Sequence, residues 1–216
     1  PITVTNSVGN NASSWMAQGI VLAADQGARV INVSHSTLSY GQLETAAQYA
    51  FSKGALVFVA GGNSDGNISR TDYEHLIFVA GTNAQDQRWS NGNGVGSSTG
   101  TWVDLAAPAD DILVADPTLG SGYGVGDGTS FAAPLAAGAA ALAWSINPAL
   151  TAAQVRALLL DTAVDLGDPG RDIYFGYGRI NYAAVAEGAA LTLVPEPTTG
   201  LALLLGVSGV CCRRQR

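Results

Sequence analysis

The chain has 216 residues, of which 47% are hydrophobic and only 12% are charged, and its formal net charge is −7. This composition excludes a disordered chain, which combines low hydrophobicity with high charge. It also argues against nucleic-acid binding, because phosphates are met by basic surfaces. Both cysteines, Cys211 and Cys212, lie near the C-terminus, so the rest of the chain has no disulfide framework and no thiolate metal site.

The first part of the chain alternates between helical and strand patterns. Apolar residues at helical spacing predict two helices, and short apolar runs predict three strands. The helices are Ser13–Gln26 and Gln42–Ser52, and the strands are Arg29–Ser34, Ala55–Ala60 and Leu76–Ala80. Unbroken apolar strands are typical of a parallel sheet covered on both faces. We therefore predict an α/β fold of three layers, αβα, with a mostly parallel sheet.

The second part of the chain contains shorter strands and three helices. Asn91–Gly100 has the composition of a loop, and Leu119–Gly128 is a glycine-rich connection. The predicted strands are Trp102–Ala106 and Asp111–Ala115, and the predicted helices are Ser130–Ser145, Thr151–Ala163 and Asn181–Ala189.

The stretch Gly128–Pro134 places a serine at the start of a helix rich in alanine and glycine. A hydroxyl there is held on a rigid element, and the unpaired N–H groups of the first helical turn can bind a developing negative charge. This arrangement suits a nucleophile, Ser130. The alternative is that Thr129 or Ser130 only caps a buried helix.

The stretch Gly128–Pro134 resembles the segment around the catalytic serine of the subtilisin-like serine peptidases. Three further blocks resemble that family in the same order: Val30–Ser34, Val57–Asn63 and Gly176–Asn181. The resemblance implies a subtilisin-like fold and hydrolysis of peptide bonds through an acyl-enzyme on Ser130. It also implies that Asn63 donates its side-chain amide to the oxyanion, together with the Ser130 backbone N–H. The alternative for Asn63 is an ordinary turn residue.

The resemblance further implies a cleft for a peptide or protein substrate. Ser34, His35 and Ser36 would border it, and Gly61 and Gly62 would form part of the pocket for the side chain before the scissile bond. His35 and Ser36, with Thr37, replace a usually apolar and glycine-rich run, so the family's specificity does not carry over. No cofactor is identifiable. The family often binds structural calcium, but no ligands are assigned in this sequence.

The aspartate and histidine blocks of the family's triad have no counterpart in the sequence. The two histidines, His35 and His75, stand at positions that do not match the family's base, and a surface or rim role is expected for each. We expect the missing blocks in an N-terminal part of a longer protein. This chain alone should then be inactive and fold poorly. The alternative is a catalytically inactive subtilisin-like surface module that binds peptide or polysaccharide.

The C-terminal segment has a composition of its own. Val194–Pro197 precedes an apolar run, Leu201–Cys212, and three arginines, Arg213, Arg214 and Arg216. The three parts resemble the PEP-CTERM sorting signal, which implies export, transient membrane contact and processing by an exosortase-type enzyme. The implied location is the envelope, surface or exterior of a Gram-negative bacterium. The alternative is a weakly ordered apolar terminus. We predict a peptidase portion at 1–190 and a sorting tail at 191–216.

Overall fold

The computed structural model describes residues 13–35 and 39–192. Within these ranges the elements alternate in chain order between helices and strands. They are α1 (Ser13–Asp25), β1 (Val30–Val33), α2 (Tyr40–Ser52), β2 (Leu56–Ala60), β3 (Leu76–Thr82), β4 (Leu105–Pro108), β5 (Ile112–Ala115), β6 (Tyr123–Gly126), α3 (Thr129–Ile146), α4 (Ala152–Asp161) and α5 (Tyr182–Leu191).

The main sheet has the strand order β1-β2-β3-β4, and each neighbouring pair is parallel. Alternate residues of β2 enter two separate cores. Val57 and Val59 pack with residues of α1 and α2 on one face. Leu56 and Phe58 pack with residues of α3, α4 and α5 on the other face. Helices therefore cover both faces of the sheet, and the predicted three-layer α/β fold is confirmed.

Helix α3 is the central helix of its layer and packs against all four strands of the main sheet. Its sheet-facing residues are alanines that have no exposed surface, including Ala132, Ala136, Ala139 and Ala143. Small side chains let the helix axis approach the strands closely. Its length and mean hydropathy of 1.3 would also suit a membrane span, but half of that stretch is buried within the fold. We identify α3 as a core helix.

Two sequence predictions differ from the structure. The strand predicted at Trp102–Ala106 begins at Leu105 and continues to Pro108. Trp102 instead lies in a turn, where its buried indole Nε1 donates to the carbonyl of Ile68. The glycine-rich connection Leu119–Gly128 contains strand β6, which pairs with β5 in an antiparallel hairpin. Neither difference could be predicted from the local sequence pattern, because each depends on a partner elsewhere in the chain.

Candidate active site

The predicted site residues meet at the carboxyl ends of the parallel strands. Ser34 directly follows β1, Gly61–Asn63 directly follow β2, and Ser130 lies in the first turn of α3. Ligand sites of open α/β sheets form outside this edge of the sheet. The fold thus assembles residues that are about 30 to 100 positions apart in the sequence.

Ser130 is the second residue of α3, and the cap position before the helix is Gly128. Gly128 has φ 126° and ψ 164°, and no side chain forms a capping hydrogen bond there. The alternative prediction, that Thr129 or Ser130 caps the helix, is therefore wrong. Within the described ranges the N–H of Ser130 has no acceptor, as expected for the first turn of a helix. It is available to a ligand.

The side chain of Asn63 is held in one orientation by Thr129. Its Oδ1 accepts hydrogen bonds from the Thr129 backbone N–H at 3.0 Å and from the Thr129 hydroxyl at 2.8 Å. The same hydroxyl accepts a bond from the N–H of Gly62 at 3.0 Å. Thr129 is 1% exposed, so its hydroxyl is shielded from water. The two bonds to Oδ1 define which end of the amide is oxygen and leave Nδ2 at the other end.

Nδ2 of Asn63 lies against the backbone of Gly128. A Cβ atom at Gly128 would stand 2.9 Å from that nitrogen, closer than real Cβ contacts allow. The φ of 126° is also one that only glycine adopts easily. Glycine at this position therefore lets the amide donor of Asn63 approach the peptide that leads into Ser130.

Ser34 contacts the nucleophile segment directly. Its Oγ donates to the carbonyl oxygen of Ser130 at 2.7 Å and accepts from Asn32 Nδ2 at 2.9 Å. In a regular helix the Ser130 carbonyl would accept from the N–H of residue 134, but Pro134 has no N–H. The hydroxyl of Ser34 thus supplies the hydrogen bond that Pro134 cannot.

The predicted pocket glycines form a close backbone turn. The N–H of Gly61 donates to the carbonyl of Val79 at 2.9 Å, and a Cβ at Gly61 would also stand 2.9 Å from that oxygen. Gly62 has φ 107°, in the region that favours glycine. Next to this turn lies Arg70, whose Nη1 donates to the carbonyl of Gly61 at 3.4 Å. Sequence reasoning did not identify Arg70.

The remaining predicted residues are placed as follows. His35 follows β1 at the same edge of the sheet as Ser34, and Ser36 lies outside the described residues. His75 precedes β3 at the opposite edge, where its Nδ1 lies 2.7 Å from Oε1 of Glu44. It is therefore remote from Ser130.

The sequence alone gave Pro134 no role, and it offered Thr129 only as an alternative helix cap. Both stand inside the stretch that drew attention to Ser130, so the signal was present in the residue types. A proline inside a helix is unusual, because it has no N–H for the helical hydrogen bond. The partners of these two residues, Asn63 and Ser34, are 66 and 96 residues away, which is why their roles were missed.

No group of three or more His, Cys, Asp or Glu side chains suited to a metal ion occurs within residues 13–35 and 39–192. Calcium binding stays a prediction from the resemblance.

Comparison with known proteins identifies the family of this chain. The sequence profile of the subtilase family, peptidase S8, matches residues 1–178. The chain belongs to the subtilase family. Subtilisin amylosacchariticus of Bacillus subtilis subsp. amylosacchariticus is 38% identical over 193 residues, which are 86% of this chain and 48% of that protein. Subtilisin of Bacillus pumilus is 37% identical over 193 residues, 86% of this chain and 66% of that protein.

A solved structure agrees with the fold. The crystal structure of a lanthipeptide protease has a TM-score of 0.73 and 25% identity, and the match covers 87% of this chain and 69% of that one. This chain spans about half the length (48%) of the first subtilisins that it matches. The subtilase architecture described above is thus shared, while the activity of the whole protein is a proposal.

Proposed function

We propose that this chain carries the nucleophile and the oxyanion donors of a serine endopeptidase. One observation carries the proposal: Thr129 fixes the amide of Asn63 so that its Nδ2 lies at the start of the helix that bears Ser130. An amide locked in this way needs no reorientation when negative charge develops, which is how preorganised donors lower a reaction barrier.

In the proposed reaction the Oγ of Ser130 forms a bond to the carbonyl carbon of the substrate. The electron pair of the carbonyl moves to oxygen, and Asn63 Nδ2 and the Ser130 N–H donate to that oxyanion. Collapse of the intermediate breaks the C–N bond and leaves an acyl group on Ser130, which water then removes. A base takes the serine proton and gives it to the nitrogen of the leaving amine as the C–N bond breaks. We expect this base to be a histidine, oriented by an aspartate, with both residues in a part of the protein outside this sequence.

The proposed substrate is a peptide or protein chain lying across Ser34, His35, Ser36 and the Gly61–Gly62 turn. Membership of the subtilase family supports this assignment. We also propose that the protein is exported. Its tail, 191–216, would then act as a PEP-CTERM-type signal that contacts the membrane transiently and is processed by an exosortase-type enzyme at a Gram-negative envelope. The residue types of Val194–Arg216 support this part of the proposal.

The test is the rate at which a fluorophosphonate labels the protein expressed from its natural gene. We expect stoichiometric labelling on Ser130, located by peptide mass spectrometry, and none in Ser130→Ala. In Asn63→Ala we expect labelling slowed by about 10²–10³, the loss known from removing the comparable donor in subtilisin itself. Ser145→Ala, at an exposed serine near the far end of α3, is the matched control and should label like the unsubstituted protein.

The same experiment separates the alternative function. A protein that leaves Ser130 unlabelled but retains peptide or polysaccharide would be an inactive binding module, and the peptidase proposal would fail. The intact mass of the released protein tests the tail: an end near Pro195–Pro197 supports processing, and an intact Arg216 contradicts it.

A further inference from the structure

Arg70 is a half-buried guanidinium group held among three aromatic rings. Its Cζ lies 3.8 Å from the ring centroid of Trp102, 4.3 Å from that of Tyr40 and 4.9 Å from that of Phe78. The rings pack edge to face, with centroids 5.1 Å apart for Tyr40 and Phe78 and 5.3 Å apart for Phe78 and Trp102. Faces of aromatic rings attract a cation, so the three rings hold the guanidinium in place.

Among the arginines within residues 13–35 and 39–192, Arg70 differs in how its charge is balanced. Four arginines each lie within 4 Å of an aspartate: Arg88, Arg156, Arg171 and Arg179. Arg29 has no carboxylate partner in the part of the chain that the structure describes, but it donates to two carbonyls, those of Pro148 and Leu150. Within the described ranges, Arg70 has neither a carboxylate nor a second carbonyl, only the long 3.4 Å bond to Gly61.

A guanidinium has five N–H donors in a planar fork that matches a carboxylate. Removing a cation from water without a counter-ion costs free energy, and burial accordingly lowers the pKa of Arg70. A ligand carboxylate would fill the unused donors and restore the charge balance. The direction of approach is given by Gly61, because the guanidinium touches the carbonyl of the turn that we assign to the substrate pocket.

We propose that Arg70 determines specificity, by binding the side-chain carboxylate of a glutamate or aspartate that precedes the scissile bond. The inference rests on the proposed function, since it takes the Gly61–Gly62 turn as the wall of that pocket. The rings of Tyr40, Phe78 and Trp102 hold the guanidinium in position before substrate arrives, so little side-chain entropy is lost on binding.

The experiment measures peptide binding rather than turnover, so it does not depend on catalysis. The protein carrying Ser130→Ala is titrated calorimetrically with N-acetylated peptide amides that are identical except for a last residue of Glu, Gln or Lys. Glu and Gln have the same shape, and their comparison isolates the charge. We expect the Glu peptide to bind about 10- to 100-fold more tightly than the Gln peptide, and the Lys peptide to bind most weakly.

Arg70→Met should reduce the Glu-to-Gln ratio to about one while leaving the Gln peptide bound. Arg29→Met is the matched control, because Arg29 also stacks on a ring, that of Trp144 at 4.3 Å, but lies at the amino end of β1. It should keep the full ratio. Arg70→Lys retains the charge but not the planar set of N–H donors, so its Glu-to-Gln ratio should lie between those of Arg70→Met and Arg29→Met. It replaces Arg70→Met as the test variant if the methionine variant is unstable.

Equal binding of the Glu and Gln peptides, no binding of any peptide, or a Glu preference that survives in Arg70→Met would each overturn the proposal. These outcomes are separate from the labelling of Ser130. If Ser130 is labelled but no Glu preference is found, only the proposed role of Arg70 is contradicted. If a Glu preference is found but Ser130 is not labelled, the peptidase proposal is contradicted and the carboxylate-selective pocket is retained.

Discussion

Ser34 and Pro134 are coupled through the carbonyl oxygen of Ser130. Proline at position 134 leaves that carbonyl without its helical donor, and the hydroxyl of Ser34, just after β1, replaces that donor. The bond joins the end of β1, where the substrate cleft is proposed, to the helical turn that bears Ser130. One hydrogen bond thus ties together two parts of the candidate site.

Ser34→Ala should lower the free energy of unfolding by about 1 kcal/mol, the usual effect of one lost hydrogen bond. In the Pro134→Ala background the same change should cost much less, because residue 134 then has an N–H for the Ser130 carbonyl. Urea denaturation of the two single variants and the double variant measures this coupling. Ser145→Ala is the control, since its hydroxyl bonds the Leu142 carbonyl within a regular part of α3. Equal costs of Ser34→Ala in both backgrounds would contradict the coupling.

At the scale of elements, helix α3 and its N-terminal cap each have a glycine, and the two glycines differ in whether another residue could replace them. Gly138 lies on the exposed face of the helix, and a Cβ there would meet no atom within 4 Å. Gly128, at the cap, has φ 126°, and its Cβ would press on Asn63 Nδ2. Gly138 therefore only adds to the conformational entropy lost on folding, whereas Gly128 is required by the backbone conformation and the close approach of Asn63.

Gly138→Ala should raise the free energy of unfolding by about 0.5–1 kcal/mol, because alanine restricts the unfolded chain and suits a helix. Gly128→Ala should lower it by about 1–3 kcal/mol through backbone strain, and should also displace the Asn63 amide. Urea denaturation of both variants checks the signs, and fluorophosphonate labelling checks the displacement. A stabilising Gly128→Ala, or a destabilising Gly138→Ala, would refute this account of the helix.

At the scale of the whole molecule, Asp104 joins helix α4 and the segment between α4 and α5 to the main sheet. It is 1% exposed, its Oδ2 accepts from the Phe78 N–H at 2.9 Å, and its Oδ1 lies 3.5 Å from Arg156 and 3.7 Å from Arg171. Its own carbonyl accepts from the Tyr177 N–H. Burial raises the pKa of Asp104 to about 7, against the opposing effect of the Phe78 hydrogen bond and the two arginines.

The sign of the pH effect follows from that pKa. The folded protein binds the Asp104 proton more tightly than the unfolded chain, in which the pKa is about 3.8. The stabilisation from this proton is complete below pH 4 and is lost as the pH rises through about 7, with an upper limit of about 4 kcal/mol. Subtracting the unfolding free energies of Asp104→Asn from those of the parent protein isolates this fall.

The control for Asp104 is Asp86→Asn, which breaks an aspartate–arginine pair at the surface, with Arg179. The difference curve for Asp86→Asn should lack the fall between pH 4 and 7. A curve for Asp104→Asn that is flat or rises over that interval would mean that Arg156 and Arg171 outweigh the burial of the carboxylate.

Much of the fold was predictable because its signals are local. The five residues of β2 and the seven of β3 are all buried, and their unbroken apolar runs predicted strands covered on both sides. Helix positions followed from apolar spacing and closing glycines. Trp102 was misassigned to a strand, because its burial comes from a turn that the Ile68 carbonyl holds in place. Apolar character reports burial, but only a partner strand decides whether the backbone forms a ladder.

The sequence by itself determined the layers and the order of the elements, since periodicity is a property of neighbouring positions. It also indicated Ser130 through a short motif, and Asn63 through resemblance to a known family. Tertiary structure alone decided how those residues are held. The lock of Asn63 by Thr129, the bond from Ser34 to the Ser130 carbonyl and the position of Arg70 beside Gly61 join different loops and element ends at the carboxyl edge of the sheet. Such contacts exist only once parallel strands bring distant segments to one edge, and no local pattern encodes which side chains then meet.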